Sequence, residues 1–389
     1  MNSNLIPPEY ADIRPYAPDE LPAVFEELIA DVAFQSVVGH VMPQMPFEMV
    51  AARLRKCSTS LEVQKTFFYP LLKQLLAACA KGIEMSVPQD MDRLRPYTFI
   101  SNHRDIVLDS AFLAMLLIDN GFPTTVEIAI GDNLLIYPWI KKLVRVNKSF
   151  IVQRSLSMRE MLRASQTMSR YMHFAISEKH ENIWIAQREG RAKDSNDRTQ
   201  DAILKMMAMG GEGSPVERLM QLNICPLAIS YEYDPCDYLK AQEFQQKRDI
   251  EGFTKSRADD LLNMQTGIFG QKGHIHYHIA PCINKWLAQL DPATPKSELF
   301  AAIAQHIDSE IHRHYRLYPV NYIAADLLQG SGLRASRYSQ SDKAEFEAYL
   351  QGRIAKVQLP QPDYAFLRER ILTMYAYPLL NQEQALAQS

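Results

Sequence analysis

Cysteine is scarce in this chain, and its cysteines are widely spaced. The five are Cys57, Cys79, Cys225, Cys236 and Cys282. No two of them form a Cys-x-x-Cys pair, which argues against a cysteine-ligated metal site and against a dense disulfide framework. Because the N-terminus is acidic and lacks an apolar signal segment, we expect reduced thiols and a cytoplasmic protein.

Long apolar runs are also missing. The longest stretch without Lys, Arg, Asp or Glu covers residues 32–47 and contains two prolines. A membrane-spanning helix needs about 18 or more mostly apolar residues, so the sequence predicts no span. A shorter apolar and aromatic segment, Leu134–Ile140, runs into Lys141 and Lys142, a pattern typical of a helix lying on a membrane surface. A helix packed in the protein with its lysine end in solvent has the same pattern.

Positive and negative charges are nearly balanced in the chain, which has 42 Lys and Arg residues and 45 Asp and Glu residues. Without a basic field or a basic tract, nucleic acid is not an expected partner. A Gly-rich phosphate loop, a serine nucleophile elbow and a dinucleotide fingerprint are absent as well. The 389 residues, 47% of them hydrophobic, are enough to bury a sizeable core.

The spacing of apolar residues changes twice along the chain. Residues 19–85 have helix-like spacing, which predicts an N-terminal helical segment over residues 1–90. Over residues 91–284, short β-rich runs alternate with helical stretches, which predicts an α/β domain with a mostly parallel or mixed central sheet flanked by helices. Residues 285–389 return to helical spacing and predict a C-terminal helical extension. The predicted strands are 97–101, 124–130, 149–152, 182–187, 226–231 and 274–280.

The first strand of the predicted α/β domain delivers a histidine to a loop. Residues 99–110 read Phe-Ile-Ser-Asn-His-Arg-Asp-Ile-Val-Leu-Asp-Ser, so His103 is followed closely by Asp105 and Asp109. Imidazole, with a pKa of roughly 6.5, can take a proton from a hydroxyl nucleophile and return it to a leaving group. Sites in such sheets form at the carboxyl ends of strands, where His103 is expected to lie. Alone, a histidine at a strand end is more often structural.

Two later strand ends carry charged residues. The segment 147–154 ends in Arg154, and residues 133–154 contain no acidic side chain, which suits a phosphate-bearing substrate. The segment 183–194 contains Glu189-Gly190-Arg191, in which the glycine lets the backbone approach a ligand while the charged side chains bind its hydroxyls or phosphate. A basic surface loop and a salt-bridged turn are the alternatives.

Together with a fourth apolar strand that carries Pro226, these segments resemble the glycerolipid acyltransferase superfamily, the glycerol-phosphate and lysophosphatidate acyltransferases. Its members have Asn-His-x4-Asp, then Gly-x-x-Phe-Ile-x-Arg, then Glu-Gly-(Thr/Gly)-Arg, then an apolar strand with proline. The resemblance covers roughly residues 93–282. The motifs are short, but their order and spacing are those of the family.

The first departure from the family pattern concerns the aspartate that orients the histidine. The family places it five residues after the histidine, where this chain has Leu108. We expect Asp109, one residue further on, to take this role. Asp105 remains as a substitute or as the cap of the following helix.

Two further departures lie in the predicted substrate-binding loops. Lys148 stands where the family has glycine, and one residue is missing after Gly190. Arg191 is therefore expected to act as the family arginine, with Lys193 as the alternative. Departures in three loops indicate a divergent branch of the superfamily.

The resemblance implies an enzyme that transfers a fatty acyl group from a thioester of acyl carrier protein or coenzyme A to a hydroxyl of glycerol 3-phosphate or lysophosphatidate in phospholipid synthesis. His103 would act as the base, without a covalent acyl-enzyme, a metal or another cofactor. The protein would bind peripherally to the inner face of the cell membrane. The expected substrate-binding residues are Arg104, Lys148, Arg154, Glu189, Gly190, Arg191 and Lys193.

Two other functions are compatible with the same segments. One is an acyltransferase for another lysolipid, with an amino-acid or lipid A headgroup. The other is a non-catalytic lipid-binding protein of the membrane surface that kept the fold without the chemistry.

Three histidines alternate along the last predicted strand, at His274, His276 and His278. Three imidazoles can bind zinc, but side chains at i, i+2 and i+4 of a flat strand spread over about 13 Å. That span is too wide for one ion without a bulge, so we expect a solvated strand face there and no metal.

Overall fold

A seven-stranded sheet forms the centre of the computed structural model, which describes residues 1–135, 137–154 and 156–387. The strands are β1 Gly82–Ser86, β2 Thr98–Ser101, β3 Val126–Gly131, β4 Ser149–Val152, β5 Asn182–Ala186, β6 Ile224–Tyr231 and β7 His274–Ile279. They lie in the order β1-β7-β6-β2-β5-β3-β4. The neighbouring strands β6, β2, β5, β3 and β4 are all parallel. Strand β7 is antiparallel to β6 and parallel to β1. The sheet is thus mixed and mostly parallel, as predicted.

Helices precede, flank and follow this sheet. Before the second strand lie α1 Leu21–Ala30, α2 Val32–Val41, α3 Phe47–Leu54, α4 Ser60–Val63 and α5 Tyr69–Cys79, with a π-helical turn at Gln64–Phe68. Between the strands lie α6 Leu108–Asp119, α7 Pro138–Val146, α8 Met158–Ser177, α9 Asp201–Met207, α10 Pro215–Gln221, α11 Asp237–Asp249 and α12 Arg257–Phe269. The last strand is followed by α13 Asn284–Leu287, α14 Lys296–Arg313, α15 Pro319–Gln329, α16 Gln340–Ile354 and α17 Tyr364–Ala387.

Both faces of the sheet are covered by apolar side chains. On β2, Phe99 belongs to a buried cluster that includes Phe112 of α6, while its neighbour Ile100 belongs to a second cluster with Tyr171 of α8 and Ile303 of α14. Successive strand residues point to opposite faces, so a strand buried on both sides reads as a continuous apolar run. Such runs can be recognised in the sequence, and the six predicted strands are present with ends within two residues of the prediction.

Strand β1 was missed by the sequence prediction, which placed it in the N-terminal helical segment. It is a five-residue edge strand, only partly buried, and its backbone pairs with β7, almost two hundred residues away. A short edge strand has no strong apolar pattern of its own, and a remote partner leaves no local signal. The predicted boundaries at residues 90 and 284 stay predictions, although β1 precedes the first of them.

Helix α7 packs against the N-terminal helices. Its Trp139 ring lies 6.1 Å from the Phe34 ring of α2, and Lys142 forms a 2.7 Å ion pair with Glu27. These contacts favour the second interpretation of the segment Leu134–Ile140, a helix packed within the protein. Ile136 of this segment lies outside the described residues. None of the helices within the described ranges is long and apolar enough to cross a membrane.

The C-terminal helices form an apolar cluster of their own beside the sheet. Side chains of α15, α16 and α17, including Ile323, Phe346 and Ile371, pack together with Ala241 of α11. Helix α17 also packs along α14. This arrangement brings the C-terminal extension against the loops that leave β5 and β6, of which the β5 loop carries residues of the predicted site.

Candidate active site

His103 lies in the loop that leaves β2 at the carboxyl edge of the parallel strands. The loop is anchored by Asn102, whose side-chain amide donates to the Ile229 carbonyl at 2.9 Å and accepts from the Ile229 amide at 2.8 Å. Just beyond this anchor, His103 Nδ1 lies 2.8 Å from Asp109 Oδ2. The ring also packs edge-on against Trp184 of β5, with centroids 5.7 Å apart. The imidazole is therefore held through Nδ1 and through its contact with the Trp184 ring.

Asp109 is completely buried in the first turn of α6, where an unpaired charge would be strongly disfavoured. Its Oδ2 also accepts hydrogen bonds from the backbone amides of Arg104, at 2.6 Å, and Asp105, at 3.0 Å. Its Oδ1 accepts from the Tyr231 hydroxyl at 3.2 Å. Such donors stabilise the ionised carboxylate and fix its orientation towards the histidine.

Asp105, the other candidate partner of His103, has a different position. Its Oδ1 accepts from the amides of Val107, at 2.9 Å, and Leu108, at 2.8 Å, so it caps the start of α6. Burial and the neighbouring charge of Asp109 raise the pKa of the Asp105 carboxyl. Asp109 is therefore the aspartate that contacts the imidazole, whereas Asp105 accepts hydrogen bonds from the backbone amides at the start of α6.

Arg154 and Glu189 meet at the same edge of the sheet. Arg154 follows β4 and Glu189 follows β5, and these strands flank β3 with all three parallel. Arg154 Nη1 lies 3.1 Å from Glu189 Oε1, and both side chains are accessible to solvent. Gly190 has φ of 67°, a left-handed conformation that glycine adopts without strain.

Arg191 and Lys193 are turned towards the helices that follow β6. Arg191 Nη2 donates to Asn263 Oδ1 of α12 at 3.3 Å, and Lys193 forms an ion pair with Glu243 of α11. Burial lowers the pKa of Lys193 to about 8. Both cations thus bind protein groups and hold the loop against α11 and α12.

Lys148 is not brought to this edge. It precedes β4 instead of following it, so it lies at the opposite end of the strand from Arg154. Its ammonium donates to Glu181 and to Thr124, each at 2.7 Å. The sequence prediction grouped Lys148 with the site because it shares a motif with Arg154, but four strand residues separate the two edges of the sheet.

The Arg104 side chain also leaves the immediate surroundings of His103. Its guanidinium is buried, forms a 2.8 Å ion pair with Asp197 and lies over the ring of Tyr315. Asp197 comes from the loop after β5, and Tyr315 follows α14. Only the backbone amide of Arg104 contacts the His103–Asp109 pair, through Asp109.

Several residues of this site were not identified from the sequence. Tyr231 ends the apolar strand that carries Pro226, and its contact with Asp109 follows from β6 being the neighbour of β2. Trp184 lies within an apolar strand whose neighbours in the sheet could not be known. Asp197 and Tyr315 carry no sequence signal, because tertiary packing alone brings them to Arg104.

The three strand histidines do not form the solvated face that we expected. His274 is exposed, but His276 is buried with Nε2 2.9 Å from the Ser86 hydroxyl, and the His278 ring stacks on His314 at 4.1 Å. Burial lowers the pKa values of His276 and His278 to about 4. The added strand β1 and the end of α14 cover this face. Within the described ranges, no group of three or more His, Cys, Asp or Glu side chains is arranged to hold a metal.

Comparison with known proteins identifies the class of this domain. Residues 82–230, which contain His103, Asp109, Arg154 and the loop after β5, match the family model described as Acyltransferase. This region of the chain is an acyltransferase domain, as the predicted resemblance implies. Among solved structures, the chain is similar to the 1-acyl-sn-glycerophosphate (LPA) acyltransferase, PlsC, from Thermotoga maritima. The identity is 10% and the TM-score 0.34, over 75% of this chain and 97% of that chain. No curated protein matches the chain.

Proposed function

We propose that this acyltransferase moves a fatty acyl group from a thioester of acyl carrier protein or coenzyme A to a hydroxyl of glycerol 3-phosphate or lysophosphatidate, in phospholipid synthesis. One observation carries the proposal: the 2.8 Å contact between His103 and Asp109 within the domain that matches the acyltransferase family. A histidine held by a buried carboxylate is suited to act as a general base on a hydroxyl.

The reaction uses the two nitrogens of the His103 ring for different tasks. Nδ1 stays bonded to Asp109, while Nε2 takes the proton of the acceptor hydroxyl as its oxygen attacks the thioester carbonyl. The carbon–sulfur bond then breaks, and the imidazolium returns the proton to the leaving thiolate. The Asp109 carboxylate stabilises the imidazolium between the two proton transfers.

The acceptor would be bound by the exposed loops at the same edge. Arg154 is the cation best placed to bind a phosphate, because its exposed pair with Glu189 contributes little free energy and can open for a ligand. Glu189 would then bind the glycerol hydroxyls, while Gly190 lets the backbone approach them. Arg191 and Lys193 would hold this loop in position.

Replacing Arg154 with glutamine is expected to raise the KM for the acceptor about tenfold and to leave the KM for the thioester within about twofold. Loss of a charge-assisted hydrogen bond, roughly 1.5–3 kcal/mol, accounts for the change. Steady-state kinetics with each substrate varied in turn measure both constants. Arg248→Gln is the control, because Arg248 is a comparably exposed and ion-paired arginine far along the chain on α11. An unchanged acceptor KM would contradict the role of Arg154.

The acceptor itself is tested by a panel assay on the purified chain. A radiolabelled acyl thioester, on either carrier, is offered with glycerol 3-phosphate, lysophosphatidate, a lyso-amino-acid lipid or a lipid A precursor. Transfer to the first or second acceptor supports the proposal. Transfer only to the third or fourth shows the alternative lysolipid acyltransferase, and binding to vesicles without any transfer shows a non-catalytic protein.

We further propose that the protein binds the inner face of the cell membrane through the start of α8. Residues 158–163 are all exposed, and they combine Met158, Met161 and Leu162 with two arginines and with Glu160, whose carboxylate is bound to Ser157. The segment begins four residues after Arg154, beside the proposed acceptor loop. Apolar side chains with interleaved cations suit insertion into an anionic lipid surface.

Replacing Met158, Met161 and Leu162 together with serine is expected to weaken binding to anionic vesicles about tenfold or more, because three apolar side chains no longer enter the lipid. Co-sedimentation with phosphatidylglycerol vesicles measures the affinity. The matched variant replaces three exposed valines of α2, Val32, Val37 and Val41, with serine. If only the α2 variant loses binding, the membrane contact lies on the N-terminal helices and not on α8.

A further inference from the structure

A small cavity, partly open to solvent, lies between the loops of the sheet edge and the C-terminal helices. Arg104 and Tyr231 contribute to its wall from the acyltransferase domain. Tyr315, Arg316 and Tyr375 contribute from the C-terminal extension. Tyr231 lines the cavity and also donates a hydrogen bond from its hydroxyl to Asp109. His103, Asp109 and Arg154 do not line it.

The guanidinium of Arg104 is incompletely satisfied at this cavity. Nη2 is bound to Asp197, and Nε lies 3.4 Å from the Ile229 carbonyl. Nη1 is buried and has no hydrogen-bond partner in the part of the chain that the structure describes. Because a buried donor of a charged group without an acceptor is strongly unfavourable, an acceptor is expected at this position.

A second guanidinium lies at the wall of the same cavity. The Arg316 side chain is 51% exposed, and the nearest carboxylate oxygen, on Glu84, is 3.5 Å away on a side chain that is itself 74% exposed. Such an exposed pair is weak and leaves the arginine available to a ligand. The carboxylate in the cavity wall, Asp234, is already bound by the buried Lys240 ammonium.

We propose that this cavity binds a small oxyanion, a phosphate group or one of similar size, between Arg104 and Arg316. Guanidinium groups bind phosphate and carboxylate oxygens through paired hydrogen bonds, and Arg104, whose Nη1 is an unpaired donor within the described residues, lines the cavity. The anion would bridge the acyltransferase domain and the segment after α14. The proposal does not depend on which acceptor the enzyme uses.

The experiment is a calorimetric titration of the purified full chain with inorganic phosphate at constant ionic strength. The titration uses the Arg154→Gln background, so that the proposed acceptor site does not contribute. We expect saturable binding to one site, and binding weakened about tenfold or more when Arg316→Gln is added, through loss of a charge-assisted hydrogen bond. Arg316→Lys should retain part of the affinity. Arg55→Gln is the control, since Arg55 is 50% exposed and paired with an exposed glutamate on the N-terminal helices.

The outcomes separate a built site from general attraction of anions. No saturable binding, equal binding of chloride, or the same loss in Arg55→Gln would overturn the proposal. Competition between glycerol 3-phosphate and inorganic phosphate, lost in Arg316→Gln, would show that the site takes a phosphate headgroup. Phosphate binding without such competition would show a site for the free anion. These measurements need no turnover, so they stand apart from the test of the acyl transfer.

Discussion

Replacing His103 with alanine is expected to lower the rate of acyl transfer by about 10²- to 10⁴-fold, the usual contribution of a positioned general base. The described contacts of the imidazole are the hydrogen bond to Asp109 and the packing against Trp184. Asp109 keeps two backbone donors and the Tyr231 hydroxyl when the ring is removed, so the fold should survive. A single-turnover assay with a radiolabelled thioester measures the rate.

The control for this variant is His274→Ala. His274 begins β7 and is exposed, so its removal deletes an imidazole from the same sheet without touching Asp109. Circular dichroism and thermal unfolding establish that both variants are folded. Wild-type acyl transfer by folded His103→Ala would disprove the catalytic assignment.

Asp109→Asn and Asp105→Asn are expected to differ by about 100-fold or more in kcat. An amide at Asp109 keeps the shape but removes the charge that orients the imidazole and stabilises the imidazolium, so activity should fall steeply. An amide at Asp105 can still cap α6, because asparagine and aspartate cap helix starts about equally well. Its activity should stay within a few-fold of the wild type.

The kcat of each variant is measured at saturating substrate, with thermal unfolding as the check of the fold. Equal losses in the two variants would mean that the two aspartates act as one unit. A larger loss in Asp105→Asn would reverse the assignment and make the observed helix cap the secondary role. The comparison is well matched, since both carboxyls are buried and lie four residues apart.

The sequence was sufficient to predict the α/β architecture and the loop that carries His103. Strand β2 is buried on both faces and is therefore a continuous apolar run. Such runs can be recognised in the sequence without knowing which strands pair with them. Edge strand β1 lacks that pattern, and its pairing with β7 is invisible in the local sequence. Burial of His276 escaped prediction for the same reason, because the strand and helix that cover it are distant in the chain.

Sequence motifs correctly predicted that charged residues directly after parallel strands lie close together. The same reasoning failed for a motif residue that precedes its strand. Arg154 and Glu189 meet because both follow parallel strands. Lys148 precedes its strand, and its ammonium is bound to Glu181 at the other edge. Position relative to the strand, and not distance along the motif, decides which side chains share a site.

The sequence by itself thus determined the class of fold, the position of His103 and the set of charged loops around it. Those features follow from the local sequence, in which apolar runs form the strands and the charged residues directly follow them. Only the tertiary structure decided that Asp109 is the partner of His103 and that Asp105 caps a helix. It also decided that Arg104 faces Asp197 and the C-terminal helices. The physical reason is that hydrogen bonds and ion pairs at a buried site depend on which remote segments pack there, and burial sets their strength.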